Sequence, residues 1–326
     1  MRTKELVVCP RVEDWRPITE LEVSSQKFNQ LWQHEPYPIF EHNIAHVYTN
    51  LKTKGEIFYF EHSGKIYITY FREGKFGLFA PPPTNYKTIV TIVKELANFN
   101  GNGAAEIKNV SKWWLDDFLT KIPPEDQNIW FWQSRSKEEV IYDLDYLIKL
   151  EGKNLATIRS ARNRLLDSGK LQFKPLRHDN LKDALLVRHR WQKIQGRRYK
   201  KDRSIQEVAA LEFFAKNNKT EKYLADIGYL DGIPVSFFAS FLPSTHPTWA
   251  INYLIKGLNR PREGGMRGVS DATYLQMFRT LHKRGIKYLN DGELGYEPGT
   301  RSHKLHFAPV MYLQSFDMFY KPDANT

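Results

Sequence analysis

Cysteine is almost missing from this chain: Cys9 is the only one among 326 residues. That excludes an intrachain disulfide and a cysteine-rich zinc site. Long apolar runs are missing as well. No stretch approaches the roughly 18 consecutive apolar residues of a membrane span, so no transmembrane segment is expected. The opening MRTKELVVCPRVEDW has no apolar signal-peptide core, and the expected location is cytoplasmic. His, Asp and Glu show no metal-ligand spacing, so no metal is expected. Acidic side chains are in deficit, 37 against 48 Lys and Arg, a net charge of +11. Such a surplus attracts nucleic acid, an anionic membrane or an acidic cofactor through the same long-range field, and does not choose among them.

What is present is enough for a folded core, with 41% apolar and 14% aromatic residues. Residues 55–80, GEIFYFEHSGKIYITYFREGKFGLFA, read as two or three antiparallel strands with tight turns at Ser63-Gly64 and Glu73-Gly74. Pro81 to Pro83 end that sheet segment. Tyr86 to Phe99 reads as an amphipathic helix with Ile89, Ile92, Val93 and Leu96 on one side. A short strand, GAAEIKNVS, and a short helix from Ser111 to Leu119 complete a first domain over residues 1–135. Residues 136–170 read as a helical connector divided by Gly152 and stopped at Ser168-Gly169.

The second domain, 171–326, opens with two helices, over 178–195 and from Ser204 to Lys216. Three strands follow (KYLADIGYL, GIPVSFFASFL, TWAINYLIKG), with a hairpin turn at Asp231-Gly232. A loop rich in Gly and Arg, a helix from Asp271 to Arg284, the strand GIKYLNDG and a last strand PVMYLQSFDMFY come after it. The fold class is α/β, of the α+β kind. The order is that of a Gcn5-related (GNAT-like) acyltransferase domain, and the first domain reads as a degenerate copy. The expectation is two tandem GNAT-like domains joined by helices.

Two stretches carry more polar chemistry than a core needs. The first runs from Tyr142 to Leu165: Tyr142, Asp143 and Tyr146 precede a turn of Leu150, Gly152 and Lys153, and Arg159 and Asn163 lie in the basic helix behind it. The second holds Asn290, Glu293, Leu294 and Gly295, then Lys304, Phe307 and Pro309. In this order the two motifs resemble the C-terminal domain of bacterial phosphatidylglycerol lysyltransferases, over roughly residues 20–320. The acidic stretch is about one residue short, and Asp291 stands where that family usually has Arg. The membrane-embedded part of the lipid-modifying members is not among these residues, which leaves the acceptor open.

The resemblance implies an aminoacyl-tRNA-dependent acyltransferase. The donor would be a charged tRNA, the acceptor an amine or hydroxyl on a small molecule, peptide or lipid, and no cofactor would be bound tightly. An acyl-CoA donor is the alternative, and a non-catalytic RNA- or protein-binding module a third reading. The basic block ALLVRHRWQKIQGRRYKKDR (183–202), with Trp191 and Tyr199 interleaved, fits RNA.

Candidate residues follow from these stretches. Gly264, Gly265 and Gly268, with Arg262 and Arg267, precede a helix and suit an anionic donor group; Lys256 leaves the strand before them. The alternative is a solvated surface loop. Asp291 and Glu293 end a strand, where open sheets place ligands, and can accept a proton or hold an ammonium; of the two, Glu293 matches the family motif. Lys304 can neutralise an oxyanion and His306 can act as a base, both alternating along an expected strand start. Tyr142, Asp143, Arg159, Asn290, Tyr296 and Arg301 are candidates for binding the substrates. Helix packing by Tyr142 and capping by Asp143 are the plainer alternatives.

Overall fold

The computed structural model describes residues 14–19, 26–29, 31–51, 55–134, 138–196, 201–218, 220–261, 264–295 and 298–322. The chain forms two compact units. One comprises residues 1–37, 50–137 and 314–326, the other 38–49 and 138–313.

In the first unit β1 (Arg16–Pro17), β2 (Glu56–His62), β3 (Lys65–Arg72) and β4 (Lys75–Phe79) form an antiparallel ladder. Both hairpins close through residue pairs at positive φ, Ser63-Gly64 and Glu73-Gly74, the turn geometry that matches strand twist. Helix α1 (Tyr86–Phe99) is capped by Asn85, whose Oδ1 accepts the Thr88 N–H at 2.8 Å. It buries Ile89, Ile92, Val93 and Leu96, the side read from the sequence. It then crosses over to β5 (Ala105–Ser111), which lies parallel to β4. Helix α2 (Lys112–Leu119) and β6 (Trp130–Ser134) follow.

The second unit begins with a correction. Residues 139–143 form a strand, β7 (Glu139–Asp143), where a connector helix was expected. Val140, Ile141 and Tyr142 are fully buried, and a short apolar run buried on both faces has no period that tells strand from helix. Helix appears only after it, in a single turn over Leu144–Leu147 and in α3 (Ala156–Ala161), which runs on into a π turn over Arg162–Leu166. Next come β8 (Leu171–Pro175), α4 (Leu181–Gln195), α5 (Lys201–Asn217) and the antiparallel strands β9 (Tyr223–Leu230), β10 (Ile233–Phe241) and β11 (Trp249–Gly257). Helix α6 (Val269–Lys283) leads to β12 (Tyr288–Glu293), parallel to β11.

Two further expectations at the end of the chain are overturned. Lys304 and His306 lie on a helix, α7 (Pro298–His306), so two residues apart they point to different sides. The single last strand is two: β13 (Met311–Leu313) joins the second sheet, and β14 (Ser315–Tyr320) joins the first. The seven-stranded orders are β1-β2-β3-β4-β5-β14-β6 and β13-β7-β12-β11-β10-β9-β8. Read from its other end, the second repeats the first: four antiparallel strands, a helix, a parallel fifth strand, then a strand from another part of the chain. The fold is α+β with one sheet per unit.

Candidate active site

Strands β11 and β12 are paired over only three positions, Trp249–Ile251 with Tyr288–Asn290. Beyond these the next residues, Asn252 and Asp291, face each other through side chains, with Asn252 Nδ2 donating to Asp291 Oδ1. Asp291 is 4% exposed and gathers four side chains. Tyr142 and Tyr274 donate their hydroxyls to Oδ2 at 3.3 and 3.2 Å. Lys304 Nζ lies 3.3 Å from Oδ2 and also donates to the Asp291 carbonyl oxygen. Burial, then the charge of Asp291, push both phenols well above the usual tyrosine range, so they remain hydroxyl donors. These donors surround the Asp291 carboxyl group, and its ion pair with Lys304 fixes where the Lys304 side chain ends.

A cavity of about 800 Å³ lies at the start of α6. Arg164 and Arg267 line it, with Thr157, Ser160 and Ser302 as hydroxyl donors. Its histidines are His303 and His306. His306 Nε2 is 2.7 Å from Thr157 Oγ1. His303 Nδ1 is 3.7 Å from Asp271 Oδ1, and its ring lies against Tyr274. Burial lowers the affinity of His303 for a proton. Tyr274 thus touches Asp291 through its hydroxyl and His303 through its ring, which ties the carboxylate cluster to the cavity wall.

The other sequence candidates are placed as follows. Asn290 is fully buried and donates to Pro38 O and to Glu139 Oε2. Glu293 ends β12, half-buried, in register with Glu139. Asp143 caps a helical turn, its Oδ1 accepting the Tyr146 N–H at 3.2 Å. Arg159 donates to the carbonyls of Leu150 and Gly152, locking a turn in which both have positive φ. Arg301 is exposed on α7. Lys256 is turned to α5: its Nζ is 3.0 Å from Glu207 and 4.0 Å above the Trp191 ring. Arg262 and Tyr296 lie outside the described residues.

The glycines divide by role. Gly264 and Gly268 have φ of 79° and 89°, left-handed values that suit glycine. At Gly265 a Cβ would sit 1.8 Å from the Leu258 carbonyl oxygen, so close packing demands glycine there. Gly268 gives α6 no side-chain cap; Asn259 instead takes the Ser270 N–H at 3.0 Å. Sequence reasoning missed Asn252, Tyr274, Asp271 and His303. Asn252 left one trace, a lone amide in the apolar strand WAINYLIKG.

Among the described residues no group of three His, Cys, Asp or Glu is arranged to hold a metal ion, and no helix is long and apolar enough to cross a membrane. Residues 38–312 match the family described as phosphatidylglycerol lysyltransferase, C-terminal. No protein with a curated description matches. Among solved structures, a conserved protein of unknown function from Bacteroides thetaiotaomicron VPI-5482 superposes with a TM-score of 0.76 at 16% identity, over 94% of this chain and 99% of that one. FemX gives 0.60 at 12% identity, over 94% and 97%. L-PGS from Bacillus licheniformis gives 0.57 at 15%, over 92% of each. At these identities the structural likeness is one of fold, and the family assignment rests on the sequence match. By that match the chain belongs to the phosphatidylglycerol lysyltransferase C-terminal family and is an acyltransferase, one that moves an aminoacyl group to an acceptor.

Proposed function

We propose that the second unit performs the transfer, with the 3′ end of a charged tRNA in the cavity at the start of α6 and an amine or hydroxyl, on a lipid, peptide or small molecule, as acceptor. The strand order supports reading each unit as GNAT-like. The donor ester is already activated. The reaction therefore needs orientation, an acceptor for the nucleophile's proton, and a donor to the oxyanion and the departing ribose oxygen. Arg164 and Arg267 suit the terminal phosphates, and the Thr157, Ser160 and Ser302 hydroxyls suit a ribose. Lys304, its side chain 12% exposed and fixed by Asp291, is the donor to the developing oxyanion. Glu293, at the open end of β12, is the candidate for the attacking group's proton or the donor's ammonium. Charged tRNA places the reaction in the cytoplasm.

The observation that carries this reading is the buried Asp291–Lys304 pair beside a cavity with two arginines. The test is turnover of lysyl-tRNA with phosphatidylglycerol vesicles by Asp291→Asn and Lys304→Met. Loss of a group acting on the proton or the oxyanion is expected to lower the rate roughly 10²- to 10⁴-fold. Wild-type turnover in both variants would remove the pair from the chemistry. An acyl-CoA donor suits the same arginines and helix start, because its pyrophosphate is also an anion. A melting shift with acetyl-CoA, together with no binding of tRNA at low salt, would put that reading first.

A further inference from the structure

Glu139 has no part in the transfer just described, yet it is among the most deeply buried acids of the second unit, 1% exposed at the start of β7. Its Oε2 accepts the Phe40 N–H at 2.9 Å and Asn290 Nδ2 at 2.6 Å. Its Oε1 is buried and receives no donor among the described residues. The neighbouring acid is Glu41, 5% exposed and hydrogen-bonded to Glu139. Two carboxyl groups can share a hydrogen bond only if one of them carries a proton. Burial, and then the charge of Glu41, raise Glu139 well above the carboxylate range, the direction such sharing requires.

Asn290 is the link to the reaction centre. Besides Glu139 Oε2 its Nδ2 reaches the Pro38 carbonyl oxygen at 3.0 Å, and its Oδ1 accepts the Gly292 N–H at 2.8 Å. One end of this amide is tied to Glu139, the other to the residue just past Asp291. Gly292 has a φ of 68°, and a Cβ there would meet the Phe40 ring at 2.9 Å, so the turn has little room to shift.

We propose that Glu139 is a positioning residue for the transfer, acting through Asn290 to hold Asp291, and that it does so only while one proton is shared with Glu41. The inference rests on Asp291 belonging to the reaction centre. With the proton lost, two negative charges share a buried site and the segment carrying Phe40 and Glu41 is pushed off β7. Among the described residues, charged groups approach the pair from three neighbouring elements. Glu41 faces it from the 38–49 segment, Glu293 is in register on β12, and Lys304 pairs with Asp291 from α7. His46, on the same segment, is turned to the Phe40 and Tyr253 rings. A carboxyl whose folded affinity for a proton is raised gives stability that is full below its ordinary value of 4.5 and lost as pH rises through the raised value. The fall in activity lies on the same alkaline side.

The test compares wild type, Glu139→Gln, Glu139→Ala and Asp291→Asn for lysyl-tRNA turnover with phosphatidylglycerol vesicles, and for melting temperature, across pH. In wild type kcat should fall on the alkaline side while KM for lysyl-tRNA holds. The amide of Glu139→Gln accepts as Oε2 does and donates to Glu41, so it should keep turnover and lose that alkaline fall. Glu139→Ala should lose on the order of 10²-fold in kcat at every pH, the usual cost of a misplacement of about 1 Å. An alkaline limb in Glu139→Gln like that of wild type, or wild-type kcat in Glu139→Ala, overturns the proposal. Asp291→Asn reports separately on the reading beneath it: if it turns over normally, that reading falls. If it is inactive while both Glu139 variants behave as wild type, only the inference falls. The melts decide even without turnover. Glu139→Gln must flatten the loss of melting temperature with rising pH, and Glu139→Ala and Asp291→Asn must be non-additive; a wild-type slope or full additivity refutes the shared proton or the link.

Discussion

The two sheets share one order and part company at one register point. The last parallel pair is Phe79 with Lys108 in the first unit and Ile251 with Asn290 in the second. One residue further, the first unit has Ala80 and Asn109, the second Asn252 and Asp291. In the first, the Ala80 N–H donates to Lys108 O at 2.8 Å, so backbone keeps the strands joined. In the second, an amide and a carboxylate meet there and two tyrosines and a lysine converge on them. The crossover helices differ in the same sense. Asn85 caps α1 with its own side chain, whereas α6 starts at a glycine beside a cavity and borrows the Asn259 side chain from the preceding loop. A fold can be repeated without repeating its polar side chains, because function is carried by a few groups grafted on a fold and not by the fold itself.

The largest expected effect breaks that comparison directly. Asp291→Asn should cost roughly 10²- to 10⁴-fold in kcat, whereas Asn109→Ala, at the matching position of the first unit, should leave lysyl-tRNA turnover unchanged. Equal losses would mean that both strand ends act in the reaction. Next, the surface that holds the donor can be localised by salt. Replacing both Arg164 and Arg267 by Ala should lower the salt slope of tRNA binding by about 0.7 for each phosphate of the single-stranded 3′ end no longer neutralised. The same change at Lys112 and Lys121 of the first unit should leave the slope as it is, which filter binding at several salt concentrations measures.

Smaller effects concern stability. Gly265→Ala forces a Cβ against the Leu258 carbonyl and should destabilise the protein by about 1–3 kcal/mol in denaturant titration. Gly101→Ala, with nothing within 4 Å of its Cβ, carries only the strain of its φ of 68° and should cost less. In the first unit, burial raises Glu35 to about 7, partly offset by a hydrogen bond with Ser111. Its protonated form is favoured in the folded state, so that share of stability is full below 4.5 and fades as pH rises through about 7. Glu35→Gln should flatten the fall in melting temperature over that window; a curve parallel to wild type would show that Glu35 does not titrate there.

The sequence made the first unit's hairpins and α1 plain, because period-two runs broken by Ser63-Gly64 and Glu73-Gly74, and a four-residue apolar stripe, are local signals. The family was legible from its two motifs. EVIYD was not legible as a strand, since its pairing partners lie about 150 residues away on β12. The destination of β14 was hidden for the same reason: a strand's sequence does not name its neighbour. In the site, Asp291, Lys304, Tyr142 and Asn290 were visible as polar groups in dense motifs. Asn252 and Tyr274 were not, because each sits singly in an apolar element and matters only through what it touches. Lys256 was visible, but its partner Glu207 on α5 was not, and that partner decides which way it faces.

The route of β14 has a consequence for how the protein is made. The first sheet needs residues 315–320 between β5 and β6, with β14 hydrogen-bonded to both. A ribosome that has delivered everything through residue 134 has therefore produced a sheet with a missing plank. Its two flanking strands must wait, edges bare, while nearly two hundred further residues emerge. Contacts this distant in sequence slow folding and leave edges open to wrong pairing. The half that is translated first is the half that is finished last, and removal of the final dozen residues should unfold the beginning of the chain before its end.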